Sequence, residues 1–274
     1  MNKRGPKDQI EMERFRELNT PFYGPLNMFC TELHMLRELN KRLAKSIVEM
    51  QASELLIVRR KGGKLSDKDK QEVMKLSREV LIYLQQKKVR ASQRKFVWKG
   101  AFAIVHPPRF IDFMRNMSLV YLVSMFENFL EQITNIVLRE RPETLKGIGK
   151  SVPVEELIGC RDIESVRQRL RAKATESFLQ GDIQEIDDRL QQKWGISFSQ
   201  FGEWRMFKER FYRRNAIVHH SGTVDTTYRM KTGYRGKVDK LSVSEKYLVE
   251  SIYLFENMGV DLATAFHAKF LTAR

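Results

Sequence analysis

Met117-Ser118-Leu119-Val120-Tyr121-Leu122-Val123-Ser124-Met125-Phe126-Glu127-Asn128-Phe129-Leu130-Glu131-Gln132-Ile133-Thr134-Asn135-Ile136-Val137-Leu138 is the longest apolar stretch in the chain, and it sets the architecture. Glu127 and Glu131 interrupt it, and no window reaches the roughly 18 uninterrupted apolar residues of a membrane-spanning helix. From about Arg109 to Arg139, apolar side chains such as Phe110, Phe113, Val120, Phe126, Phe129, Ile133 and Val137 fall on more than one helical face. A helix apolar on several faces must be covered on several sides, so this segment reads as the central helix of a bundle.

The flanking sequence agrees. The chain has only 7 Pro and 15 Gly among 274 residues, and it is rich in Leu, Glu, Lys, Arg, Gln and Met, a composition suited to helices rather than sandwiches or barrels. The expected fold is all-α. A connector from Pro142 to Val154 leads to a charged helix at about Asp162–Leu179 and a short helix after Gly181. Ser199 is expected to open a helix through Trp204, Phe207, Phe211 and Ile217 that Gly222 closes. The last helix, about Ser244–Phe266, returns Leu248, Ile252, Phe255, Met258 and Leu262 to the core.

Upstream, residues 1–20 are highly charged and read as a mobile tail or a short docking helix. Residues 21–106 form the next region. Apolar residues recur at helical spacing from Leu26 to about Val58, Lys61-Gly62-Gly63-Lys64 supplies a turn, and Ser66 caps a second helix through Val73, Leu76, Val80 and Leu84. This predicts an N-terminal helical hairpin, with Pro107-Pro108 marking the boundary to a bundle over 107–274.

Net charge is +15, and residues 1–100 alone carry 23 Lys/Arg against 12 Asp/Glu. Such a field attracts polyanions and fits nucleic acid. Cys30 and Cys160 lie far apart and near no clustered histidines, which supports neither a zinc site nor a disulfide framework and fits a reducing cytoplasm. The basic start, Met1 to Pro6, lacks the apolar core of a signal peptide. No metal or cofactor motif and no Ser or Cys nucleophile motif is present, so none of these groups is expected.

The densest chemistry lies in Arg213-Arg214-Asn215-Ala216-Ile217-Val218-His219-His220-Ser221-Gly222. Asn215 and His219, four residues apart, share a helix face, so the amide is placed to orient the ring. Arg214 can reach a phosphate near that ring. An imidazole beside a fixed guanidinium is a workable pair for acid–base chemistry on a phosphodiester. The plainer reading keeps its place: a histidine near a helix end is often only a C-cap, and surface arginines are often only solvated. Glu127, a polar group in an apolar stretch, needs a partner, and an arginine of the last helices is the natural one. The pair is either structural or a support for the site.

These residues resemble a known pattern. Arg214-Asn215-Ala216-Ile217-Val218-His219-His220-Ser221-Gly222-Thr223-Val224-Asp225, followed by Tyr228, is similar to the Arg-x(4-6)-His signature of HEPN domains, closest to the Arg-Asn-x-x-x-His branch of RiboL-PSP-HEPN and MAE-like ribonucleases. Leu122-Val123-Ser124-Met125-Phe126-Glu127-Asn128-Phe129-Leu130 resembles the long helix of that branch, and the likeness spans roughly 109–268. It implies a HEPN-like bundle of four to five helices that dimerises with two Arg-His motifs face to face. It also implies a metal-independent endoribonuclease in which His219 is the general acid/base, Arg214 the phosphate clamp and Asn215 the orienting group. Glu127, Arg213, His220 and Asp225 would support them. Toxin–antitoxin and antiviral defence systems use such domains, so RNA, tRNA among it, a second copy and an antitoxin or regulatory protein are the expected partners, with no membrane. The alternatives are a non-catalytic HEPN-like module that binds RNA or protein, and a helical adaptor working through the N-terminal hairpin.

Overall fold

The computed structural model describes residues 15–58, 107–146 and 153–271, with positions 13, 66–68, 71, 75, 78 and 82. In order these are α1 (Tyr23–Val58), α2 (Pro107–Glu140), a 3-10 turn (Pro142–Leu145), α3 (Val154–Ile158), α4 (Ile163–Leu179), α5 (Ile183–Trp194), a 3-10 turn (Phe198–Phe201), α6 (Trp204–His220), α7 (Thr226–Thr232) and α8 (Glu245–Phe270). The fold is all-helical: among the described residues the only strand-like pairing is an isolated antiparallel bridge, Thr223 to Lys240. None of the described helices is long and apolar enough to cross a membrane.

The chain divides into two compact units, one of residues 1–37 with 118–274 and one of 38–117. The divisions fall within α1 and α2, whereas Pro107 opens α2, as a proline tolerates in a first turn. In the second unit, the turn at Gly62-Gly63 and most of the helix expected after Ser66 lie outside the described residues.

The first unit is organised by aromatic packing. Phe126 of α2 is fully buried, with ring centroids at 5.8 Å from Phe29, 6.0 Å from Phe129, 6.1 Å from Phe198, 5.0 Å from Phe207, 6.2 Å from Phe211 and 5.4 Å from Phe255. Those rings come from α1, α2, the second 3-10 turn, α6 and α8, so one side chain joins five elements. Phe29 stacks on Phe129 at 4.8 Å, and α8 admits it because a Cβ at Gly259 would lie 2.7 Å from Phe29 Cε1. A second cluster sets Trp194 of α5 against Phe178 of α4 and Phe266 and Phe270 of α8.

Several ends differ from the expectation. Of the first 20 residues, Phe15 is buried against the ring of His267, which favours the docking helix over the mobile tail for this part. Ser199 does not open α6: Gly202 (φ 79°) and Glu203 (φ 47°) break the chain, and Ser199 belongs to the preceding 3-10 turn. That turn is pinned by the buried Asp187 carboxylate, which accepts from Phe198 N at 2.6 Å and Ser197 Oγ at 2.9 Å and so seats Phe198 in the core. Asp162, Asp182 and Ser244 cap α4, α5 and α8 through their side chains, which satisfies first-turn N–H groups.

Phe126→Ala would remove the ring shared by these elements. The expected loss is about 3–5 kcal/mol in urea unfolding followed by circular dichroism. A loss below about 1 kcal/mol would show that the elements hold together without it.

Candidate active site

α6 presents three faces. Phe207 and Phe211 enter the core, Glu209 and Arg213 turn to α7 and α8, and Arg210 and Arg214 are held by Ser251 and Glu127 respectively. The helix ends at Ser221, in the left-handed region (φ 52°), and Gly222 N–H donates to Ala216 O at 2.8 Å, a six-residue closure that satisfies a terminal carbonyl. Gly222 is itself at φ 80°, and a Cβ there would stand 3.2 Å from Leu241 O. The close approach lets Leu241 N–H donate to Gly222 O at 2.8 Å, which fixes the far end of the α7–α8 loop to the end of α6.

Arg214 Nη2 donates to Glu127 Oε1, so the acid of the apolar stretch does pair with an arginine of a late helix. The Glu127 side chain keeps 45% of its surface exposed, and the partial desolvation of its carboxyl against the neighbouring chain raises its pKa despite the pull of Arg214. Arg214 Nε is buried with no acceptor among the described residues, as is Arg37 Nε in the Arg37–Glu256 pair. His219 and His220 are exposed in the last turn, their ring centroids 6.5 Å apart. Asn215 is half-buried, and among the described residues no hydrogen bond joins its amide to His219. His220 Nε2 lies 3.6 Å from Asp225 Oδ2, and Asp225 also caps α7 by accepting from Tyr228 N at 2.7 Å.

Arg213 sits differently from Arg214. Its Nε donates to Glu209 Oε1 at 2.7 Å, its Nη1 donates to Ser242 O at 2.8 Å, and its guanidinium lies 4.2 Å from the Tyr247 ring centroid. Glu209 also accepts from Tyr228 Oη at 2.5 Å and Tyr247 Oη at 2.6 Å, while Arg210, itself buried, approaches its other oxygen at 3.3 Å. Burial opposes the Glu209 charge, yet Arg213 and the two phenols outweigh it and hold the carboxyl below its ordinary range. Arg213 therefore serves to fasten α6 to α7 and α8. Sequence reasoning missed Glu209, Tyr247 and Ser242; only the Glu209–Arg213 spacing of four residues signalled any of it.

No three His, Cys, Asp or Glu side chains among the described residues converge as metal ligands. The site offers an anchored guanidinium, two open imidazoles and a rigid helix end.

The folded pKa of Glu209 lies below its ordinary 4.5, so its contribution is complete above about pH 4.5 and is lost as pH falls through the folded value. Glu209→Gln is expected to cost about 3 kcal/mol at neutral pH, by analogy with breaking a buried ion pair. Urea unfolding at successively lower pH should show the gap between variant and wild type closing. A gap independent of pH would mean that the carboxylate charge is not what holds the three helices.

No protein-family model, curated protein or solved structure matches this chain.

Proposed function

We propose that the chain is a metal-independent endoribonuclease of HEPN type, with His219 as the proton-transfer group and Arg214 as the phosphate clamp. The observation that carries the reading is the exposure of His219 on the same helix that anchors Arg214 to Glu127. A histidine kept only for packing in the core would be covered, and the exposed ring of His219 leaves its nitrogens open to a substrate.

The chemistry follows from these groups. Removal of the ribose 2'-OH proton lets that oxygen attack the adjacent phosphorus, the P–O5' bond breaks, and a proton delivered to O5' completes the 5'-hydroxyl product. A 2',3'-cyclic phosphate remains on the other fragment. An imidazole can take the first proton or give the second, and a guanidinium donates to the non-bridging oxygens as negative charge builds on them. Arg214 would reach them by exchanging Glu127 for phosphate. A homodimer would bring a second Arg-His pair to one phosphate and supply the other proton transfer. Asn215 belongs to this proposal as an orienting group whose contact to His219 forms with substrate. The setting proposed is cytoplasmic, as a toxin or antiviral effector restrained by an antitoxin or regulatory protein, with structured RNA such as tRNA as target.

Purified wild type and His219→Ala are incubated with total RNA and with tRNA in EDTA, and fragment ends are analysed. Cyclic phosphate ends are expected from the wild type, with a rate loss of about 10²–10⁴-fold in the folded variant. Cleavage that survives the substitution, or that appears only with a divalent cation, overturns the proposal. RNA binding without cleavage by the wild type would favour the binding module.

A further inference from the structure

The stretch Arg229-Met230-Lys231-Thr232-Gly233-Tyr234-Arg235-Gly236-Lys237-Val238-Asp239-Lys240 carries five cations and one acid, and the Arg-His motif gives it no role. The structure divides the five cations into two groups. Arg229 is spent inside the loop, donating from Nη1 to Gly236 O at 2.9 Å and lying 5.6 Å from the Tyr234 ring centroid. Lys231 is spent on Asp182, which accepts from its Nζ at 2.8 Å. Arg235, Lys237 and Lys240 are exposed, and none has a carboxylate partner among the described residues.

The loop is braced. Gly233 N–H donates to Arg229 O at 2.9 Å, Thr232 Oγ1 to Tyr228 O at 2.6 Å, and Tyr234 N–H to Thr232 Oγ1 at 3.2 Å. It is also tied to the histidine-bearing helix end. Lys240 pairs across the bridge with Thr223, whose N–H donates to His220 O at 2.9 Å, and Val224 N–H donates to Asp239 O at 2.9 Å. The Lys240 side chain passes over Gly222, its Cγ 3.8 Å from where a Cβ would stand. Free cations on a braced loop, joined by main-chain bonds to the residues following His219 and His220, form a strip positioned before any ligand arrives. A strip of spaced cations without acid partners matches the repeating phosphates of a nucleic acid backbone, and contacts of that kind set position rather than sequence.

We propose that Arg235, Lys237 and Lys240 form the RNA backbone-docking strip that leads the strand to His219. The inference rests on the ribonuclease reading for its choice of RNA, but it concerns binding, which can be measured without cleavage.

The full-length protein carrying His219→Ala, so that RNA stays intact, is titrated against fluorescently labelled single-stranded RNA at a series of salt concentrations. Arg235→Glu, Lys237→Glu and Lys240→Glu are added together. A control of equal charge change places Arg161→Glu, Arg167→Glu and Arg169→Glu on or just before α4, which packs on α5. Circular dichroism and thermal unfolding verify that both folds are kept. The expected result is an affinity at least roughly tenfold weaker in the loop variant, with a log K against log salt slope shallower by about 2, near 0.7 for each phosphate that is no longer neutralised. The α4 control should retain most of the affinity and the wild-type slope. Equal loss in both variants would reduce the effect to overall charge and overturn the strip, as would unchanged binding in the loop variant or no RNA binding by the parent. Displacement of the RNA by anionic phospholipid vesicles at comparable affinity would assign the loop to a lipid surface instead. If the parent binds through the strip while the wild type cuts nothing, the docking proposal stands and the ribonuclease reading falls.

Discussion

Phe126 has no freedom to turn. With rings from α1, α2, the 3-10 turn before α6, α6 itself and α8 closed around it, any rotation of α2 about its axis would open a void or force an overlap, and close-packed interiors resist both. The next residue is Glu127, about 100° further round the helix. Fixing Phe126 therefore fixes where Glu127 stands, and Glu127 receives Arg214. The apolar core thus sets the position of the one guanidinium proposed to meet substrate, and no loop intervenes between the two.

A second constraint acts at right angles to the first in chemical character. Arg210, Arg213 and Arg214 lie within five residues of one helix, and three neighbouring cations at low exposure repel unless acids or ring faces compensate them. Glu209 compensates Arg213 and approaches Arg210, Tyr247 lends its ring to both, and Glu127 compensates Arg214. Each compensating group comes from a different stretch of chain or from the helix itself. The result is that α2, α6, α7 and α8 are joined at one place by polar contacts as well as by packing.

Much of this was legible from residue order. The helical class, the long central helix, the helix starts near Asp162 and Ser244 and the pairing of Glu127 with a late arginine all follow from local chemistry or from the cost of leaving a charge unpaired beside an apolar stretch. What escaped depends on partners distant along the chain. Tyr228 and Tyr247 reach Glu209 from 19 and 38 residues away, and no periodicity announces them. α7, Thr226–Thr232, is too short to show an apolar stripe. The start of α6 was misplaced because a serine followed by aromatics reads as a cap, while the break is set by Asp187 holding the turn before it and by left-handed residues at 202 and 203. Asn215 and His219 share spacing but no hydrogen bond, since spacing gives proximity of backbone and leaves side-chain direction open.

The bridge between Thr223 and Lys240 separates two kinds of inheritance. On one side, Gly222 and Leu241 hold the helix end in register and tolerate little change, because Gly222 is left-handed and a Cβ there would press on Leu241 O at 3.2 Å. On the other, between Gly233 and Asp239, the Arg229 contact to Gly236 and the turn at Tyr234 brace the chain from within the loop itself. Exposed side chains there can change, and with them what the strip holds, while the histidine-bearing helix end keeps its place. A lineage under pressure to meet new targets, or to escape an inhibitor, would have in this loop a segment open to rapid divergence, fastened to a framework that must stay still.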